Sequence, residues 1–173
     1  MQKILLVVLT ALLALSAADT KPASATYITN MDVQSTLKGM PPNTVTDQQV
    51  RVVDAGKQNV GIGVVHRSAQ AAQNAVEHDQ VTEVYHILAG SGTMVTAGTL
   101  VNPQRRPSND AALRELTGPS TTGASLQKGE SRHVGPGDIV IIPAGVGHWF
   151  SSVDGSIDYV VVRIDPDKIV HLK

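Results

Sequence analysis

The reading of the fold turns on GDIVIIPAGVGHWF, Gly137 to Phe150. Its apolar run, Ile139 to Ile142, has the length of a strand and stops at Pro143-Ala144-Gly145, a turn signal. A second strand-like run then opens at His148. Working outward, QQVRVVDAG, NVGIGVVHRS, TEVYHILAG, GTMVTAGTLV, SRHVGPG, DIVIIPAG, HWFSSV and SIDYVVVRI are each short enough to be strands. Glycine, or glycine with proline, lies between most of them. Many short strands with turn signals and almost no helix indicate an all-β barrel or sandwich.

A second stretch, EHDQVTEVYHILAGSG (Glu77 to Gly92), raises a question of charge. Glu83 heads an apolar strand, and His78 stands five residues before it. A carboxylate buried charged and unpaired costs several kcal/mol. Either Glu83 faces water, or something positive waits for it inside.

The rest of the chain bounds the answer. It has 173 residues and a net charge of −1, enough for one domain with a proper core and without a basic field for nucleic acid or an anionic membrane. Cysteine is absent, so disulfides and thiolate chemistry are excluded, and any metal must be held by nitrogen and oxygen. MQKILLVVLTALLALSAADT reads as a targeting segment: Lys3 is the positive n-region, and Ile4 to Leu15 form an apolar run too short to span a bilayer. Cleavage is expected after Ala18, which removes one positive charge and takes the net charge from −1 to −2. The expected organisation is a signal peptide over 1–18, an arm and short helix over 19–48, and a β-barrel over 49–173. Asn30 is expected to cap the helix and Gly39 to end it. Ala69 to Val76 is alanine-rich and reads as a helical turn, whereas 102–128 reads as a long polar loop serving as a lid or rim.

The residues of the opening stretch resemble a known pattern. Gly137, Pro143-Ala144-Gly145 and His148 match the second cupin motif up to the histidine, although the family's asparagine four residues later is Ser152 here. In the first cupin motif, Glu83, Gly90 and His78 fit, while Val76 takes the place of the first histidine. From about Asn59 to Ile164 the chain resembles the cupin superfamily, and VTEVYHILAGSGT is similar to exported single-domain cupins. The resemblance implies a cupin double-stranded β-helix, a jelly-roll barrel that is often dimeric and carries a metal in its mouth.

Strand alternation puts Glu83, Tyr85 and Ile87 on one face and Val84, His86 and Leu88 on the other. If Glu83 faces inward, a divalent cation turns its burial into a coordination bond. His78, Glu83 and His148 then form a ligand set for Fe, Zn, Mn, Ni or Co, with positions open to water or substrate. The plain alternatives are a Glu83 paired with an arginine and a His148 that is an ordinary hydrogen-bonded histidine. His66 or Gln80 is a possible fourth ligand. Tyr85, Phe150 and Ser152 are expected to line the pocket, with Tyr85 placed to move a proton. Arg105 and Arg106 are candidates to steer a carboxylate substrate. His86 is read as an outward residue, His133 as structural, and His171 as part of the tail.

Two functions follow. One is an exported, metal-dependent enzyme, secreted or periplasmic and homodimeric, acting on a small organic molecule. The other is a non-catalytic barrel that holds a small ligand such as a sugar or organic acid.

Overall fold

The computed structural model describes residues 24–173. The expected signal peptide over 1–18, its cleavage point and the start of the arm lie outside the described residues. In chain order there follow one helix, α1 (Asn30–Lys38), and the strands β1 (Val45–Asp54), β2 (Asn59–Ser68), β3 (Ala75–His78), β4 (Thr82–Thr96) and β5 (Thr99–Val101). Then come β6 (Gln104–Arg105), a π-helical turn (Leu113–Thr117), β7 (Ser120–Gly123), β8 (Ser125–Gln127), β9 (Glu130–Val134), β10 (Ile139–Ile142) and β11 (His148–Asp165).

β11 and β4 organise the barrel. All pairings are antiparallel, and β4 and β11 run against each other along almost their whole length, from His148 opposite Thr96 to Ile164 opposite Thr82. The later half of β11 also pairs with β2, and its first residue pairs with β3. A nine-stranded sheet thus follows the order β1-β2-β11-β3-β7-β6, with β9 and β10 joined through β4, and β5 and β8 form a separate pair. Among the described residues no helix is long and apolar enough to cross a membrane.

Period-two patterning decides what lies inside. Along β11, Ile157, Tyr159, Val161 and Arg163 are all at most 3% exposed. Ile157, Tyr159 and Val161 meet Tyr85, Ile87, Phe150 and Ile142 in the main core. Each such apolar side chain contributes roughly 1.5–3 kcal/mol on leaving water. The outer face of β2 is covered by α1, where Val33 and Met40 pack on Val64. That helix begins one residue earlier than expected. Thr29 is its N-cap, and Asp32 returns the bond to complete a capping box, whereas Gly39 closes it as anticipated.

Two sequence expectations are corrected here. The alanine-rich stretch does not form a helix; its end, Ala75–His78, is strand β3, paired with β7, and tertiary pairing overrides the local propensity. The 102–128 segment is not a structureless loop: it carries β6, the π-helical turn, β7 and β8, and so becomes a wall of the barrel.

Gly90 shows how tightly β4 and β11 meet. Its φ is +70°, and a Cβ there lies 1.9 Å from the Ser156 carbonyl oxygen. Gly137 has φ +90° with open space around it. Gly137→Ala is expected to cost about 1–2 kcal/mol from backbone strain alone. Gly90→Ala adds a backbone collision, and a loss of about 4 kcal/mol or more is expected. Urea denaturation of both variants checks this ordering.

Candidate metal centre

Three strand ends build the site. His78 is the last residue of β3, Glu83 the second of β4, and His148 the first of β11. The Pro143-Ala144-Gly145 turn locks two of them together, because the Gly145 N–H donates to the His78 carbonyl at 2.7 Å. All three side chains are buried, at 5%, 1% and 3% exposure. They present ligand atoms within 4.8 Å of one another.

Glu83 Oε2 lies 3.5 Å from His78 Nε2 and 3.3 Å from His148 Nε2. The tautomers follow from the partners on the other ring nitrogens. Ser120 Oγ gives its own proton to the Gly118 carbonyl at 2.8 Å, so it accepts from His78 Nδ1–H at 2.8 Å. The Val146 carbonyl accepts from His148 Nδ1–H at 3.1 Å. Both Nε2 atoms therefore turn lone pairs toward Glu83, and His148 Nε2 is buried without a hydrogen-bond partner. Two lone pairs and a carboxylate oxygen converge, and among the described residues only the Tyr85 hydroxyl donates to Oε2, at 2.8 Å.

Such a set fits a divalent cation. Ligands about 2.1 Å from a metal at tetrahedral or octahedral angles stand about 3.0–3.4 Å apart, close to the observed separations. The Ser120 and Val146 bonds fix the imidazole orientations, as hydrogen bonds to the far nitrogen of metal-binding histidines do.

The question of Glu83's charge has a second answer on its other oxygen. Arg163 Nε donates to Oε1 at 2.8 Å. The same guanidinium pairs with Asp47 and donates to Gln49 Oε1 at 2.9 Å. Burial raises the Glu83 carboxyl, but the positive charge that His78 carries when protonated and the charge of Arg163 outweigh it and hold it well below its ordinary value. Burial drives His78 the other way, below the ordinary imidazole value. A neutral His78 leaves the permanent charge of Arg163 as the dominant reason that Glu83 stays ionised. Burial, then the Glu83 charge, pushes the Tyr85 phenol well above its usual value, so it stays a proton donor.

The residues singled out in the sequence are distributed unevenly. His78, Glu83, His148, Tyr85 and Arg106 line one cavity of about 370 Å³, and Val76, in the first histidine's place, lines it as well. Neither candidate for a fourth ligand reaches it. His66 lies on the outer face of β2, bonded to Asp158 at 2.6 Å and to the Pro42 carbonyl at 3.0 Å. Gln80 is turned outward and donates to Asp167. Arg105 is exposed and forked onto Asp79 at 2.6 Å. Phe150 is buried behind the cavity, its ring 6.0 Å from that of Tyr159. Ser152, expected to share the inward face of His148, is exposed because a bulge between Phe150 and Ser152 flips the alternation. His86 is exposed, as its place on the strand implies.

Sequence reasoning missed Arg163, Asp47, Ser120, Tyr159 and Arg67. The alternation in SIDYVVVRI carried one usable signal: with Tyr159 and Val161 inside, Arg163 is inside too, and a buried guanidinium requires a carboxylate.

Comparison with known proteins agrees on the family. The family described as Cupin matches residues 35–171. No curated protein matches the chain. Among solved structures, the EutQ protein of Clostridium difficile is similar at 12% identity, over 71% of this chain and 69% of that one, with a TM-score of 0.42. The DMSP lyase DddQ of Ruegeria pomeroyi is 18% identical over 69% of this chain and 46% of its own, with a TM-score of 0.44. An oxalate oxidase in complex with glycolate is 18% identical over 74% and 54%, with a TM-score of 0.45. This chain spans about half the length of the latter two. The protein belongs to the cupin family, and its architecture is the all-β cupin barrel with a short N-terminal helix.

The pKa directions give a pH profile for the metal-free protein. The folded His78 value is depressed, so the unfolded chain binds its proton first, and stability falls as pH drops through 6.5. The folded Glu83 value is also depressed, so a second loss begins as pH falls below 4.5. Urea midpoints measured from pH 8 to pH 4 should show both declines, and His78→Gln should remove the first.

Proposed function

We propose that this is an exported cupin whose His78, Glu83 and His148 hold one divalent metal ion, and that it is an enzyme acting on a small organic molecule in the cavity beside them. The observation that carries the reading is the convergence of two imidazole lone pairs on an ionised carboxylate, an arrangement that a cation satisfies and that protein donors alone leave incomplete. When bound, such an ion supplies Lewis-acid or oxygen-activating chemistry. Around it, Arg163 holds Glu83 ionised and oriented, Ser120 and Val146 fix the rings, and Tyr85 keeps a proton at the edge of the cavity. Tyr85 is the candidate general acid because its hydroxyl lies beside the ligand set and stays protonated. Export is supported by the charged and apolar pattern of residues 1–18.

One observation favours the second function, a non-catalytic binding barrel. Arg163 already neutralises Glu83 and Tyr85 already donates to it, so the carboxylate is not destitute without a metal. Elemental analysis separates the two. The expected result is about one metal ion per chain after dialysis without chelator, lost in His148→Ala and reduced at least tenfold in Glu83→Ala. A folded parent that neither carries nor takes up Fe, Mn, Ni, Co or Zn contradicts the metal centre and leaves the binding barrel.

A homodimer is part of the same proposal. Ile139 and Ile141 on β10 are 65% and 67% exposed, and β10 pairs only with β4 among the described strands. An apolar edge of this kind calls for a cover. Light scattering is expected to give a dimer for the parent and a monomer for Ile139→Lys/Ile141→Lys, with metal content unchanged. A monomeric parent contradicts the dimer.

A further inference from the structure

Arg67 is a charged group of the cavity that neither the metal centre nor a carboxylate partner among the described residues uses. Among the described residues five ionised side chains line that space: Asp47, Glu83, Arg67, Arg106 and Arg163. Arg163 bridges Asp47 and Glu83, and Arg106 is tied to Asp110 at 2.9 Å. Arg67 is half-buried on β2 and has no carboxylate in salt-bridge range among the described residues. Its Nε donates to the Tyr159 hydroxyl at 2.9 Å and its Nη1 to Gln73 Oε1 at 3.2 Å. The guanidinium carbon sits 5.4 Å from the centre of the Phe150 ring, over its face. Nη2 has no protein acceptor among the described residues. Tyr159, 1% exposed, accepts from Arg67 and has no acceptor there for its own proton.

Two adjacent donors are thus held ready, one of them cationic and unable to deprotonate. The charge count points the same way. With the imidazoles neutral, Asp47, Glu83 and Asp110 offset Arg67, Arg106 and Arg163. A divalent ion on the ligand set leaves the cavity with two positive charges, which a neutral ligand does not offset. We propose that Arg67, assisted by the Tyr159 hydroxyl, is the anion-recognition group of this cavity, and that its substrates are small organic carboxylates. The inference rests on the metal-centre reading for the strength of the attraction, and on the Arg67 fork for its location.

The test is calorimetric titration of zinc-loaded and metal-free protein with succinate and with its uncharged diamide, succinamide. Succinate is expected to bind the zinc-loaded parent at least about tenfold more tightly than succinamide, as a charge-assisted pair implies. Arg67→Gln is expected to raise the succinate Kd about tenfold or more while leaving zinc content and succinamide binding unchanged. Arg67→Lys should recover part of the loss. Tyr159→Phe, which retains every charge and serves if Arg67→Gln fails to fold, should weaken succinate about threefold. Arg105→Gln should change nothing. Metal-free protein should bind succinate more weakly with the same dependence on Arg67. No succinate binding, equal affinity for succinate and succinamide, or succinate affinity unmoved in the Arg67 and Tyr159 variants overturns the proposal. If zinc is not taken up, the metal centre alone fails, and the metal-free titrations still decide the role of Arg67.

Discussion

The buried carboxylate of Glu83 governs the site of this barrel. Glu83 is 1% exposed, and every polar side chain near it is arranged around that fact. Its two oxygens are used differently. Oε1 takes the fixed charge of Arg163, which keeps the group ionised whatever else is present. Oε2 faces the two imidazoles and the Tyr85 phenol. One oxygen thus serves stability and the other remains free to serve chemistry, so a metal is accommodated without dismantling the ion pair. Such a buried pair is costly to break, because either partner left alone is an uncompensated charge.

The strands place these groups because the sheet brings distant sequence together. Glu83 and Arg163 are 80 residues apart yet directly opposite in the β4–β11 ladder. His78 and Ser120 are 42 residues apart and are likewise opposite, in the β3–β7 pair. Antiparallel neighbours directly across a ladder carry side chains on the same face, which is why both pairs point into the cavity. The wall that completes the cavity comes from the polar segment between β5 and β9. Its pairing with β3 holds Ser120 behind His78 and brings Arg106 and Thr122 to the rim.

Much of this was legible in the sequence, and the limits have physical causes. The glycines and the Pro143-Gly145 turn delimited the strands because those residues mark turns by their own backbone preferences. His78, Glu83 and His148 were legible through their resemblance to the cupin motifs, and the inward face of Tyr85 through period two. Ser152 was misplaced because a bulge moves residues to the opposite face without any nearby glycine or proline to announce it. β3 was misread because an alanine-rich run favours helix locally, and only pairing with β7 turns its end into a strand. His66 was a reasonable substitute ligand by residue type, but its side chain lies on the wrong face of β2. Arg67 and Tyr159 escaped notice because their importance lies in what they lack, an acidic partner and an acceptor, and this is visible only when their surroundings are known.

In the proposed centre, Glu83 would hold Arg163 with one oxygen and a metal ion with the other. A crystal structure of the metal-loaded protein, with diffraction recorded on both sides of the metal's absorption edge, tests it most directly. The account predicts one anomalous peak per chain, bounded by His78 Nε2, His148 Nε2 and Glu83 Oε2, with Arg163 still bonded to Oε1. A peak elsewhere, such as at the exposed His133–Asp154 pair, or a peak at the centre with Arg163 displaced from Glu83, contradicts it.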